Sequence, residues 1–141
     1  MKRALCLARA GNYIDSASEH TPTEEKLDAL LNRALSEEIS KETYAAFRWD
    51  MGAARELLYV TDNAGEIVLD KLCIDQIRRD YPGLSLTVMV RGGPVLNDAT
   101  MEDARLIGLT ETGEVIDSGH PMAGVDLGRL GGTARATLEK A

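Results

Sequence analysis

The chain has 141 residues, of which 44% are hydrophobic and only 4% aromatic, so aliphatic side chains must build most of its core. A domain of this length buries about 68% of the surface its unfolded chain exposes. Its formal net charge of -7 argues against a nucleic-acid partner, which needs a basic surface, but leaves small phosphate esters open, because a metal or helix start overrides net charge locally. The two cysteines, Cys6 and Cys73, are isolated in the chain. They make no zinc pattern and suit a reducing, cytoplasmic setting. No stretch approaches the ~18 apolar residues of a membrane span, and no secretory apolar segment opens the chain, so no membrane partner is expected.

In chain order, "MKRALCLARAG" reads as a helix that stops at Gly11. It has no cap upstream, which suggests an element that began earlier in a longer protein. From Thr23, the positions Leu27, Leu30, Leu31, Ala34 and Leu35 follow an amphipathic helical period. Thr23 followed by Glu24 and Glu25 suits the positive start of that helix. A third helix over roughly 41–54 carries Tyr44, Phe47, Trp49 and Met51, which are expected to pack in the core. Residues 1–55 thus form a helical portion.

From residue 56 the texture changes to an α/β portion running to 141. "LLYVT" is a continuous apolar run, the pattern of a strand buried on both faces. "IVLDKLCIDQIRRDYPG" is a helix stopped by Pro82-Gly83, with Cys73 a buried thiol on it. "LSLTVMV" is a second strand, and "RGGPVLND" a loop. A short helix starts at Thr100, with Thr100 and Asp103 spaced as a capping pair, and "EVIDSG" is a third strand. Strands alternating with helices indicate a parallel sheet with right-handed crossovers. "GVDLGRLGGTARATLEKA" offers no further strand, and Gly131-Gly132 is expected to interrupt any helix there. Three strands leave apolar surface to be covered by the rest of a larger protein or by a second copy of the chain.

Open parallel sheets bind ligands in the loops beyond the carboxyl ends of their strands. Two such loops here are rich in oxygen donors: Asp62-Asn63 after the first strand, and Asn97-Asp98 after the second. On adjacent strands, Asp62, Asn63 and Asp98 would present three hard oxygens to one cation, suiting magnesium, manganese or cobalt better than structural zinc. The N–H groups of Ala64, Gly65 and Glu66 open a helix, where unpaired donors favour phosphate. Arg91 and Gly92 could add a clamp and a close backbone approach. A cation beside an anion hole suits phosphoester hydrolysis. A plainer reading stands beside this one. Asp62 or Asn63 would cap the helix, Asp98 or Thr100 would cap the next, and Gly92-Gly93-Pro94 would be a turn. His20 and His120 lack metal-ligand spacing and are expected on the surface. A phosphatase with a nucleophilic aspartate pair would want a second Asp where Ala64 stands, and no Gly-x-Gly-x-x-Gly follows a strand.

The blocks "LLYVTDNAGEIVLDKL", "VMVRGGPVLNDATMEDA" and "GNYID" resemble the motifs of the metal-dependent damage-control phosphatase family, in its stand-alone bacterial and archaeal branch. The resemblance runs from about Arg9 to Leu127. It implies a helical portion packed on a three-layer α/β/α unit with a Rossmann-like parallel sheet. It also implies a phosphatase acting on a small phosphorylated metabolite, such as a sugar phosphate or a damaged metabolite. The family holds a divalent metal (manganese, cobalt, nickel or magnesium) with an Asp-Asn pair and a later Asp, here matched by Asp62, Asn63 and Asp98. Asn12 and Asp15 match its motif near the pocket, and Glu66 and Arg91 fall inside the matched blocks. Attack on phosphorus by a metal-activated water or by Asp62 itself is compatible with these residues. The family's preceding Cys-x-x-Cys helices and its later Lys-Gly-x-Gly-Asn loop have no counterpart in this sequence.

Overall fold

The computed structural model describes residues 1–16 and 23–141, without the side chains of residues 12 and 14–16. Three helices come first: α1 (Lys2–Ser16), α2 (Glu24–Ser36) and α3 (Lys41–Ala53). Then β1 (Glu56–Val60), α4 (Ile67–Asp80) and β2 (Ser85–Val90) form one crossover unit. α5 (Met101–Leu106), α6 (Leu109–Thr112), β3 (Glu114–Asp117) and α7 (Gly132–Leu138) complete the order. Among the described residues both strand pairings are parallel, and the sheet order is β1-β2-β3. Among the described residues no helix is long and apolar enough to cross a membrane.

The sheet is covered on both faces, because β2 alternates. Leu86, Val88 and Val90 join Ile67, Cys73, Ile74 and Ile77 of α4 in one core, while Met89 joins Ile116, Leu130 and Ala134 in a second. That is the expected α/β/α layering. β2 is buried from Leu86 to Val90, as its apolar run predicts. β1 is not buried on both faces. It lies at an edge, its residues are half-buried or exposed, and Val60 is 40% exposed.

Local signals set most element ends. Thr23 accepts from the Lys26 N–H at the start of α2, and Asp103 accepts from the Thr100 N–H at 2.8 Å. α4 stops at Asp80, just before Pro82. Three further expectations are corrected. α1 does not stop at Gly11 but continues to Ser16. A Cβ on Gly11 would lie 2.8 Å from Glu66 Cγ, so this glycine serves the close packing of α1 on the start of α4. Trp49 is 79% exposed rather than packed, whereas Met51 on the same helix is buried. Gly131-Gly132 begins a helix instead of interrupting one: the Gly131 N–H donates to Ser118 O, and α7 follows.

Candidate metal and phosphate site

The site stands at the carboxyl ends of β1 and β2. Thr61 ties the end of β1 to β2, its N–H and hydroxyl both donating to Met89 O. The loop after β2 then folds back along the loop after β1. Ala64 N–H donates to Asn97 O at 2.8 Å, Ala99 N–H donates to Asp62 O at 2.7 Å, and Asn63 and Asp98 pair as an antiparallel bridge. Arg91 N–H donates to Ala99 O, which closes the loop on its own base. The turn over Val95 to Asp98 places Leu96 at φ 48, an unusual conformation for a leucine, with its side chain 91% exposed.

This backbone ribbon brings the predicted side chains of Asp62 and Asp98 together around Arg91. Arg91 Nε donates to Asp98 Oδ2, and Arg91 Nη2 donates to Asp62 Oδ1 at 3.2 Å. Arg91 is only 4% exposed, and its Nη1 is buried with no hydrogen-bond partner. Asp98 is buried too, while the Asp62 side chain is 58% exposed. Asn63 donates from Nδ2 to Glu66 Oε1 at 2.9 Å, which turns its amide oxygen away from Glu66. Asn63 and Glu66 are both buried. Glu66, at the N-cap of α4, makes no side-chain cap, and the Asn63 carbonyl accepts from Glu66 N–H and Ile67 N–H.

The backbone donors at this helix start are partly engaged. Ala64 N–H and Glu66 N–H reach the carbonyls of Asn97 and Asn63. A Cβ on Gly65 would meet nothing within 4 Å, so its face is open. Gly92 N–H donates to Ser118 Oγ at 3.0 Å, and a Cβ on Gly92 would lie 2.3 Å from His120 N. The exit of β3 therefore presses directly on Gly92. Asn12 and Asp15 belong to α1 by backbone, Asn12 immediately after the glycine that meets Glu66; their side chains lie outside the described residues. His20 lies outside them as well, and His120 is exposed.

Two groups escape motif reading. Asp70, one turn along α4 from Glu66, is buried and accepts from the Tyr59 hydroxyl at 2.6 Å. Burial pushes its carboxyl up to about 6; the Tyr59 bond opposes that rise, and the charges of Glu66 and Asp62 reinforce it. Burial and then the Asp70 charge raise the Tyr59 hydroxyl as well. The signal was present, since Asp70 falls on the stripe of Ile67, Ile74 and Ile77 that faces the core. Ser118, buried at the exit of β3, carried no comparable signal.

Among the described residues no three His, Cys, Asp or Glu side chains form a metal cage. The set at hand is two carboxylates and an amide, held together by backbone pairing. Oxygen donors of this kind fit a hard divalent cation.

The family model for the damage-control phosphatase ARMT1-like domain matches residues 1–141. The chain belongs to this family. It is 35% identical over 126 residues to a damage-control phosphatase of Pyrococcus horikoshii, covering 88% of this chain and 42% of that one. To a damage-control phosphatase of Archaeoglobus fulgidus it is 33% identical over 143 residues, covering 99% of this chain and 48% of the other. The crystal structure of a DUF89 family protein from Pyrococcus horikoshii superposes with a TM-score of 0.84 at 30% identity, over 99% of this chain and 48% of that one. The chain thus spans less than half the length of these family members.

Proposed function

We propose that this chain carries the metal-binding part of a phosphatase that hydrolyses small phosphate esters, such as sugar phosphates or damaged phosphorylated metabolites. The reading is supported above all by the union of two strand exits: Asn63 pairs with Asp98, and Asp62 and Asp98 share one guanidinium. Relatives named damage-control phosphatases support the same reaction class.

Asp62, Asn63 and Asp98 would hold a divalent ion of the manganese, cobalt, nickel or magnesium class. Such an ion, when bound, supplies charge to a phosphate ester and a more acidic water. The chain's residues supply position. Asp62 is the open carboxylate of the set, and Asp98 the buried one. Glu66 accepts from the Asn63 amide nitrogen, so the amide oxygen would be the atom that Asn63 offers to a cation. The open face of Gly65, with Ala64 and Glu66 on either side, would receive the phosphate, and Gly92 would border it. Arg91 would contribute positive charge from between Asp62 and Asp98. Asn12 and Asp15 would approach from α1.

The test is turnover of a generic aryl phosphate with manganese, cobalt or nickel, by the chain and by Asp62→Ala. Metal-dependent turnover lost in the variant is expected, and turnover unaffected by it would sink the assignment. The alternative reading is a non-catalytic protein that binds metal or a phosphorylated ligand. Metal binding by calorimetry without turnover would select it.

A further inference from the structure

Asp62 and Asp98 arrive from different strand exits, and two carboxylates set side by side repel each other. Arg91 stands between them. Its Nε donates to Asp98 Oδ2 and its Nη2 to Asp62 Oδ1. Those two nitrogens lie along one edge of a rigid planar fork, so one group sets the spacing of both carboxylates. Each carboxylate gives the fork a single oxygen. Asp98 Oδ1 and Asp62 Oδ2 remain outside these bonds.

The rest of the arginine is poorly served by this pose. It is 4% exposed, and Nη1 on the far edge is buried without an acceptor. An unmade hydrogen bond of that kind is unfavourable. A lysine would bring the same charge with no orphaned nitrogen, but as a point donor that cannot span two carboxylates at fixed spacing. The geometry serves the aspartates at the expense of the arginine.

Charge alone and fork geometry make opposite predictions for metal affinity. A bare positive charge next to a cation site repels the cation, so its removal would tighten binding. A fork that holds two ligands in place does the reverse, because residues that bond to metal-ligating side chains typically raise affinity 10–100-fold. We propose that Arg91 is a positioning residue that holds Asp62 and Asp98 at the spacing a divalent cation requires before the cation arrives. The inference rests on the metal-site reading above, and its sign distinguishes it from simple charge balance.

The experiment titrates the full chain with cobalt(II), following heat by calorimetry and coordination by the visible absorption of the bound ion. The variants are Arg91→Lys and Arg91→Met, with Asp98→Asn as a control for the site and circular dichroism as a check on folding. The expected result is cobalt binding by the unmodified chain, about 10–100-fold weaker binding by both Arg91 variants, and an altered cobalt spectrum in each. Binding by Arg91→Met that equals or exceeds that of the unmodified chain overturns the inference. So does full affinity in Arg91→Lys, since charge would then suffice. Arg91→Lys keeps the buried charge and decides the matter alone if Arg91→Met does not fold. Failure of the unmodified chain to bind cobalt overturns the metal-site reading itself, a result distinct from the failure of Arg91 to matter.

Discussion

Asp70 is a carboxylate on the apolar stripe of α4, and its replacement by Asn should stabilise the protein in a pH-dependent way. Its carboxyl rises from an ordinary 3.8 to about 6, with burial the largest cause. The fold therefore prefers the protonated acid. Stability from this group is complete below about 3.8 and is lost as pH rises through about 6. The two values lie about two pH units apart, which corresponds to ~3 kcal/mol at ~1.4 kcal/mol per unit. Asp70→Asn keeps an oxygen for the Tyr59 hydroxyl and removes the charge, but it buries an amide N–H pair that needs acceptors. A net gain of about 1–2 kcal/mol at pH 7.5 is the expected outcome, once ~1 kcal/mol or more is lost to the buried amide. Urea unfolding of both proteins at pH 4.5, 6.0 and 7.5 measures it. The difference between variant and parent isolates Asp70 from the other acids, and it should shrink steadily toward pH 4.5. A gap that stays constant across these pH values, or a variant no more stable at pH 7.5, would refute the reasoning.

Two further substitutions probe the packing that frames the site. Gly92→Ala puts a Cβ 2.3 Å from His120 N in a loop that Ser118 anchors to β2, so it should cost at least ~1–3 kcal/mol and lower the thermal midpoint by several degrees. Trp49→Ala should change stability by no more than about 0.5 kcal/mol in the same melts, because the ring is 79% exposed.

What could be read from the chain follows from which signals are local. The apolar runs of β2 and α4, the threonine at the start of α2 and the Thr100-Asp103 pair report on neighbours a few residues away, and the structure has them in place. The parallel sheet followed from the alternation of strand and helix, and adjacency of β1 and β2 then brought Asp62, Asn63 and Asp98 to the same end. Properties set by distant partners were not legible. Gly11 resembles a helix stop until Glu66 is known to pack against it. The run in β1 resembles a buried strand until its place at the edge is known. Trp49 is apolar, but nothing in its own segment says that this side of α3 faces solvent.

The same distinction runs through the site. Side-chain caps are one reading of Asp62 and Asn63; in the structure the Asn63 carbonyl accepts at the helix start, while the Asn63 side chain donates to Glu66 and Asp62 accepts from Arg91. Arg91 reads in the sequence as a clamp for phosphate; what the sequence does not show is that it lies buried between two aspartates that its own loop brings round. Only the backbone pairing of residues 97–99 with residues 62–64 creates that position.

The central claim is that Asp62, Asn63 and Asp98 hold one divalent ion. Crystals of the chain grown with manganese and measured for anomalous scattering test it most directly. A single strong peak with oxygens of all three side chains at roughly 2.0–2.6 Å is the predicted result. A peak elsewhere, or three side chains pointing apart from any bound ion, would contradict it.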